Sequence, residues 1–337
     1  LYRTLQWSLK LKLSLSRVLK IMITESEIER QLRISQEMWS DLVMLQSWPK
    51  QKYFDPNAWI KNFKKSEIPY ALRLIDNMTY YSDEMCITLF KSAFHRLCKN
   101  VLENTTCVHY NQATAYWNIF KNSSYVVPIR GEIPNPTDSC YRYARYARNH
   151  CNVPEDNIIT LEDAVRLVKS GNAQKLIFVD DFLGSGEQFI KTWHKKIDVA
   201  GSMRSLANEY LSNNSVEIYI CTIISTQHAI ENIQSDLPKA HISSAHIFTD
   251  YHSVLSDHSY IWREDMKTEG PQFIEDVSLR LGIPDLDGQI DLDDRVCWRG
   301  FKKLGLSVTF QDSMPDASIP LLKFSSQEWQ PLIRTGI

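Results

Sequence analysis

The stretch that decides the fold is LIFVDDFLGSGEQF, residues Leu176 to Phe189. Its four apolar residues, Leu176 to Val179, predict a strand buried on both faces, as in a parallel sheet. This strand delivers two acids, Asp180 and Asp181, and a loop of glycine and serine then leads into a helix. Open α/β sheets bind ligands beyond the carboxyl ends of their strands, and a helix N-terminus offers free N–H groups to an anion. The segment therefore predicts a phosphate site beside two carboxylates.

Each residue type in this segment has a chemical reason. Gly184 and Gly186 lack a Cβ atom, so the backbone can curl around an anion, and the Ser185 hydroxyl adds a hydrogen bond. Asp180 and Asp181 would accept hydrogen bonds from a sugar diol and hold Mg²⁺, whose charge offsets a pyrophosphate. The alternative is structural, because an Asp pair in a strand-to-helix turn also serves as an N-cap and a salt-bridge partner.

The sequence around this segment alternates short apolar strands with helices, which is typical of an α/β sheet. The runs SYVVPIRGE, LIFVDD, SVEIYICTIIS and SSAHIFTD predict about four parallel strands joined by crossovers. From Glu25 to about Cys98, apolar residues recur at three- and four-residue steps, which predicts helices. Beyond Asp250 the regularity fades, and we interpret that part as a lobe over the sheet edge.

These patterns predict an α/β fold and divide the chain into four parts. Residues 1–21 are basic and acid-free, and we interpret them as a leader or a non-native extension upstream of Met22, with a membrane-surface segment as the alternative. Residues 22–110 form a helical N-terminal region and residues 111–250 the parallel-sheet core. Residues 251–337 form the C-terminal lobe.

Composition narrows the class of protein. The 337 residues carry 38 basic and 40 acidic side chains and a formal net charge of −2, so no global charge attracts nucleic acid or an anionic membrane. Seven scattered cysteines without a C-x-x-C pair argue against a disulfide framework and a zinc site. No run approaches the roughly 18 apolar residues of a membrane-spanning helix. We expect a soluble cytoplasmic protein with no membrane partner.

The helical region raises one further possibility. The stretches ALRLIDNM and DEMCITLFKSAFHRLCKNVL predict two helices joined by a tight turn, which permits a DNA-binding helix-turn-helix. The second helix mixes basic residues with Asp83 and Glu84, so a packing or homo-oligomer role is favoured over DNA reading.

The central segment resembles a known motif, in which D-D, three residues and Ser/Thr-Gly follow an apolar strand. This is the phosphoribosyl pyrophosphate motif of type I phosphoribosyltransferases. The resemblance implies that Asp180 and Asp181 face the ribose hydroxyls and the metal ion. It implies a 5-phosphate site at Gly184, Ser185, Gly186, Glu187, Gln188 and Phe189. Glu187 and Gln188 depart from the small residues and second hydroxyl of the family, and a carboxylate at this position weakens or reshapes a phosphate site.

The same family has a pyrophosphate loop after an earlier strand, and VVPIRGEIPNPTDS, residues 126–139, lies at the corresponding place. Arg130 is the natural pyrophosphate ligand there, because guanidinium groups bind such anions with two parallel hydrogen bonds. The alternative is an ordinary surface arginine. Ser139, with Asp138, is an equally good cap for the following helix.

A narrower resemblance covers most of the chain. Residues 54–84, the central motif and residues 314–335 are similar to bacterial phosphoribosyltransferase-like proteins proposed as effectors in anti-phage conflict systems, some of which accompany reverse transcriptases in retron cassettes. The ending matches that group at Pro315, Ser318, Pro320, Trp329, Pro331 and Leu332. The resemblance implies a hood over the base site, in which Trp329 either stacks on a nucleobase or packs in a core.

Two functional hypotheses follow. The first is an enzyme that transfers or hydrolyses at the anomeric carbon of phosphoribosyl pyrophosphate or a nucleotide, with Mg²⁺ as cofactor and Asp180, Asp181 and Arg130 as catalytic residues. The resemblance alone implies an anti-phage role with a reverse transcriptase or another defence-system protein as partner. The second is a binding module that senses the same ligands while its N-terminal helices bind a partner protein or nucleic acid.

Overall fold

The structure is a computed structural model that describes residues 25–50, 52–103, 109–130, 139–212, 215–291, 293 and 295–334. The predicted leader segment and residues 131–138 of the predicted pyrophosphate loop lie outside the described residues. In chain order, the helices are α1 (Glu25–Met44), α2 (Pro56–Ile60), α3 (Ile68–Asp76), α4 (Asp83–Glu103), α5 (Tyr110–Ser123), α6 (Ser139–Cys151), α7 (Leu161–Lys169), α8 (Glu187–His194), α9 (Leu206–Ser212), α10 (Gln227–Asp236) and α11 (Glu269–Arg280). The strands are β1 (Thr79–Tyr81), β2 (Tyr125–Pro128), β3 (Lys175–Val179), β4 (Phe182–Leu183), β5 (Ile197–Val199), β6 (Ser202–Arg204), β7 (Glu217–Thr226), β8 (His241–Phe248) and β9 (Val308–Phe310).

The chain forms two compact units. The sheet unit is the continuous segment Tyr81–Thr249. The aromatic unit joins the described residues up to Tyr80 to those from Asp250 onward. Helix α4 therefore belongs to the sheet unit, whereas the sequence analysis assigned residues up to 110 to a separate helical region.

A parallel sheet organises the sheet unit, as predicted. Its strands lie in the order β2, β3, β7 and β8, and each pairs with its neighbour in parallel. The short strand β4 also pairs with β7, in the same register as β3. Strands β3 and β4 therefore follow one another along β7, with Asp180 and Asp181 at the break between them.

Helices cover both faces of this sheet. One face packs α7, α8, α9 and α10 through a buried cluster that includes Phe178, Phe189 and Ile220. The other face packs α4, α5 and α6, and Phe120 of α5 meets Tyr219 of β7 edge-on at 5.0 Å between ring centroids. Burial on both faces explains why the strand residues read as continuous apolar runs.

The predicted tight turn between α3 and α4 is wrong. Strand β1 separates the two helices, and the backbone N–H of Thr79 donates to the carbonyl of Ser307, 2.9 Å away. Helix α4 buries Phe90, Phe94 and Leu97 completely, which agrees with the favoured packing role for this helix.

The aromatic unit has a core drawn from distant parts of the chain. Trp59 packs edge-on against Phe63, and Phe63 against Trp329, with ring centroids 4.5 and 5.1 Å apart. Trp329 is 5% exposed, so its core role is the one observed. At the start of α2, Asp55 caps the helix and accepts a hydrogen bond from Ala58 N–H at 2.9 Å. The hood over a base site stays a prediction. Within the described residues, no helix combines the length and apolarity needed to cross a membrane.

Candidate functional site

The two acids of the central segment lie beside an irregularity in the sheet. The backbone N–H of Asp180 donates to the Cys221 carbonyl at 3.3 Å. The Asp181 carbonyl accepts from two successive β7 N–H groups, those of Ile223 at 3.1 Å and Ile224 at 3.0 Å. The backbone of the acid pair therefore stays hydrogen-bonded to β7 between the two paired segments, and the register does not change across it.

The Asp180 side chain is 3% exposed. Its Oδ1 accepts a hydrogen bond from the backbone N–H of Asp181 at 2.9 Å and from Ser139 Oγ at 3.4 Å. Ser139 is the first residue of α6, so this helix begins beside the acid pair. The sequence analysis treated Ser139 only as part of a loop or as a cap, and missed this contact.

The acid pair is electrostatically unsatisfied. Burial raises the pKa of Asp180 well above its usual value, and the charge of Asp181 raises it further. Burial also raises the pKa of Asp181, although hydrogen bonds from its surroundings oppose the shift. Among the described residues, neither carboxylate forms an ion pair with a Lys, Arg or His side chain. A bound cation or a set of hydroxyl donors would supply the missing partners.

Two buried groups lie near Asp181, the thiol of Cys86 and the hydroxyl of Tyr143, which share a hydrogen bond. Burial raises the pKa of Cys86 to about 11, and burial together with the Asp181 charge raises the pKa of Tyr143. Both groups are therefore neutral at physiological pH. Cys86 is not a thiolate nucleophile, because nucleophilic cysteines need a lowered pKa.

The loop after the acids is held by its carbonyl groups. The Gly184 carbonyl accepts a hydrogen bond from the hydroxyl of Thr226, which also caps α10. The Ser185 carbonyl accepts from Asn232 Nδ2 at 2.8 Å. Because helix α10 takes both carbonyls, the loop has one fixed orientation. Neither Thr226 nor Asn232 was singled out from the sequence, although a threonine before a helix is a recognisable cap signal.

The N–H groups of the same loop remain available. Among the described residues, the backbone N–H groups of Ser185, Gly186, Gln188 and Phe189 find no acceptor, while that of Glu187 donates to Ser185 Oγ at 3.3 Å. These groups lie at the beginning of α8, where the helix dipole also favours an anion. The arrangement can therefore hold a phosphate group, which agrees with the sequence interpretation of this loop.

Gly186 has a second reason to be glycine. Its φ is +79°, a left-handed conformation, and a Cβ atom there would lie 3.0 Å from the Ala229 carbonyl oxygen and 3.1 Å from Ile233 Cγ1. The close approach of α10 therefore demands glycine independently of any anion. The sequence analysis gave only the anion as the reason.

Arg130 lies at the end of β2, but its side chain turns to α7. Its Nη2 atom lies 2.7 and 2.6 Å from the two carboxylate oxygens of Glu162, and Tyr141 also hydrogen-bonds the guanidinium. No contact in the described part of the chain joins this guanidinium to Asp180 or Asp181. The structure therefore does not bring the three predicted catalytic side chains together, and Glu162 was missed.

Gln188 has a structural task. Its Nε2 donates to the Ile129 carbonyl at 3.3 Å, and one turn later Thr192 Oγ1 donates to the Arg130 carbonyl at 3.4 Å. The first turns of α8 thus hold the end of β2. This contact gives a physical reason for Gln188, where the resembling family has a smaller residue.

The donor set limits which metal site is possible. Among the described residues, no group of three or more His, Cys, Asp or Glu side chains is placed to hold a metal ion. Mg²⁺ is commonly held by only one or two carboxylates together with waters and substrate phosphates. Asp180 is buried and Asp181 half-buried, and neither is paired with a described basic side chain, so they fit an ion that is shared with a phosphorylated ligand.

Comparison with known proteins gives one match. A family model described as PRTase-CE matches residues 56–334, a range that contains the acid pair, the loop and Arg130. No curated protein and no solved structure matches the chain.

Proposed function

The chain belongs to the PRTase-CE family, a phosphoribosyltransferase-type family, and from this premise we propose an enzyme that transfers or hydrolyses at the anomeric carbon of a ribose 5-phosphate compound. Phosphoribosyl pyrophosphate or a nucleotide would be the ligand. One observation carries the proposal: an acid pair, the buried Asp180 and the half-buried Asp181, stands directly before a loop with free N–H groups. Neither acid forms an ion pair with a described Lys, Arg or His side chain.

Each half of this site would bind one half of the ligand. The carboxylates of Asp180 and Asp181 would accept hydrogen bonds from the ribose hydroxyls and would hold Mg²⁺. When bound, Mg²⁺ supplies positive charge beside the departing pyrophosphate. The N–H groups of Ser185, Gly186 and Gln188 would bind the 5-phosphate at the start of α8. Positioning and charge stabilisation then carry the rate of a reaction through an oxocarbenium-like state, and no covalent nucleophile is required.

Arg130 enters this proposal conditionally. To bind pyrophosphate, its guanidinium has to exchange the Glu162 carboxylate for the phosphate oxygens. Both ligands are anions that suit the planar guanidinium group, so the exchange replaces one charge-assisted pair by another. Glu162 would then hold Arg130 away from the acids until the ligand arrives.

Calorimetric titration of phosphoribosyl pyrophosphate, with and without Mg²⁺, tests the proposal. We expect binding to the wild type that needs Mg²⁺ and that weakens at least about tenfold, or about 1.4 kcal/mol, in an Asp180→Asn, Asp181→Asn double variant. Asp163→Asn, the same chemical change on the surface of α7, should bind as the wild type does. Equal binding to the double variant, or no binding to the wild type under either condition, would contradict the proposed site.

A binding module is the second candidate, and one observation favours it. The predicted pyrophosphate ligand, Arg130, binds the Glu162 carboxylate. Gln188, which departs from the family's motif, donates to the Ile129 carbonyl. Both side chains are therefore engaged in contacts within the fold. Incubation of the wild type and Asp181→Asn with Mg²⁺, phosphoribosyl pyrophosphate and nucleotides separates the candidates. An enzyme releases pyrophosphate or free base and loses this rate in the variant, whereas a sensor binds without release in both.

We further propose that the protein acts in the cytoplasm as an effector of anti-phage defence, with a reverse transcriptase or another defence-system protein as partner. The similarity of residues 54–84 and 314–335 to that group of proteins supports this analogy. Cells that carry the intact system should resist phage, and cells with the Asp180→Asn, Asp181→Asn chain should lose this protection. Equal protection by both chains would contradict a role that depends on the acid pair.

A further inference from the structure

A cavity of about 250 Å³ lies within the sheet unit, along the outer side of α6. Tyr141, Arg145 and Arg148 follow at spacings of four and three residues, so they share one side of the helix. Across the cavity stand Glu155 and Ile158. Backbone pairing of Ile158 with Val126 extends the sheet beyond β2, so regular structure forms both walls.

The charge of this cavity is unbalanced. Arg145 is exposed and forms no ion pair with any carboxylate that the structure describes. Arg148 pairs with Glu155 at 2.7 Å, and the Glu155 side chain is 77% exposed. Helix α6, SCYRYARYARNHC, contains three arginines and no acid. Arg142 and Arg148 pair with Asp83 and Glu155, so the excess positive charge of the cavity comes from Arg145.

The lining is also partly apolar. Ala144 and Ile158 contribute aliphatic surface, and Tyr141 contributes an aromatic ring at one end. Aromatic rings with aliphatic neighbours bind flat heterocycles, while paired guanidinium groups bind phosphate. The volume is slightly below the roughly 300–1,000 Å³ of pockets for drug-sized ligands, so a ligand here is small and keeps part of its surface in solvent.

We propose that this cavity is a second ligand site, which binds a nucleoside 5′-monophosphate. Arg145 holds the phosphate together with Arg148, which exchanges the Glu155 carboxylate for the phosphate oxygens. The base lies between the Tyr141 ring and Ile158. The site goes beyond the proposed function, because it requires neither a metal ion nor turnover at the acid pair.

Helix geometry separates the two sites. Ser139, the first residue of α6, contacts Asp180, whereas Arg145 and Arg148 follow six and nine residues later. At about 1.5 Å per residue, these arginines lie roughly 9 and 13 Å further along the helix axis. The phosphate-binding end of the cavity is therefore set apart along α6 from the residue that contacts Asp180.

Titration of the common nucleoside 5′-monophosphates in the presence of a chelator, without Mg²⁺, tests the site. We expect at least one to bind the wild type and to bind at least about tenfold more weakly to an Arg145→Gln, Arg148→Gln double variant. Binding should be unchanged in Arg166→Gln, a matched change on the exposed side of α7, and in the Asp180→Asn, Asp181→Asn variant. If the Asp180→Asn, Asp181→Asn variant loses phosphoribosyl pyrophosphate binding but retains nucleoside 5′-monophosphate binding, the two sites are distinct.

Four results would overturn the inference. No nucleotide binding by the wild type, or equal binding by the arginine double variant, would show that the cavity is not a site. Competitive displacement by phosphoribosyl pyrophosphate with Mg²⁺ would make the cavity part of the first site. Inorganic phosphate that binds as tightly as the nucleotide would remove the role of Tyr141. If the double variant unfolds, Arg145→Gln alone serves, since Arg145 has no described carboxylate partner to lose, and it should weaken binding several-fold.

Discussion

The acid pair and the glycine loop are neighbours in the chain but are held in opposite ways. The loop is fixed by its carbonyl groups and by the close approach of α10 to Gly186. Asp180 is buried and Asp181 is half-buried, and both accept hydrogen bonds from Ser139 and from backbone N–H groups, but neither has a cationic partner among the described side chains. The fold therefore supports the loop, whereas the acid pair costs stability unless a proton or a ligand neutralises it.

This difference shows where stability and function diverge. Buried charges without partners persist in proteins when they serve binding or catalysis, and their removal commonly stabilises the fold at the expense of activity. Residues that support packing show the reverse behaviour, since their replacement lowers stability first. The contrast predicts that substitution of the loop glycine after Leu183 lowers the stability of the fold, whereas substitution of an acid before Leu183 raises it.

The largest effect is expected from Gly186→Ala. The left-handed φ of +79° and the 3.0 Å approach to the Ala229 carbonyl oxygen act together, and we expect a loss of about 2–4 kcal/mol in the free energy of unfolding. Gly171→Ala is the matched control. Its φ is +73°, but a Cβ atom there meets nothing within 4 Å, so only about 1 kcal/mol should be lost. Equal losses in denaturant unfolding would show that α10 does not constrain the loop.

The second effect has the opposite sign. Because the pKa of Asp180 is raised in the folded protein, the fold keeps a proton over a pH range in which the unfolded chain has lost it, and stability falls as pH rises through that range. Asp180→Asn removes this loss and retains the Oδ1 acceptor. We expect the ligand-free variant to be about 1 kcal/mol more stable at pH 8, which raises Tm by about 2–4 °C, with little difference near pH 4.

Asp163→Asn is the control for the predicted rise in Tm. A hydrogen bond from Thr160 lowers the pKa of Asp163, so its replacement should slightly lower Tm at pH 8. A wild-type Tm at pH 8 that equals or exceeds that of Asp180→Asn would mean that the acid pair is satisfied without a ligand.

The smallest effect concerns Arg130, the predicted catalytic cation that Glu162 holds away from the acid pair. Glu162→Gln weakens the hold on Arg130 and should increase the affinity for phosphoribosyl pyrophosphate with Mg²⁺ about three- to tenfold, or about 1 kcal/mol. Glu231→Gln, an exposed change on α10, should leave the affinity unchanged. If Glu162→Gln binds no more tightly than the wild type, Arg130 does not exchange Glu162 for the ligand.

Local signals explain what the sequence analysis predicted well. The apolar run Leu176 to Val179 defined the buried strand. A threonine before a helix is likewise a local cap signal, and the side chain of Thr160 caps α7, with Asp163 N–H as donor at 3.1 Å. These predictions depend on residues within a few positions of each other. Their physical causes are burial of a strand and satisfaction of a helix terminus, which the local sequence records.

Partners from distant positions explain what was missed. Nothing near Arg130 indicates that Glu162 takes its guanidinium group, and nothing near Gly186 indicates Ala229. The turn predicted between α3 and α4 was wrong because the pairing partner of Thr79, Ser307, lies more than two hundred residues away. The α/β class follows from local periodicity, whereas the availability of each site residue depends on tertiary contacts.

The division of the chain into units also sets an order of events during synthesis. The sheet unit is continuous, whereas the aromatic core needs Trp59 and Phe63 from the beginning and Trp329 from near the end. At about 5–20 residues per second, the ribosome needs roughly 4–18 seconds to add the residues from Asp250 onward. During that interval the early aromatic side chains have no complete core. We therefore expect the sheet unit to fold first. The first helices of the nascent chain then stay accessible to chaperones and proteases until the rest of their core is synthesised.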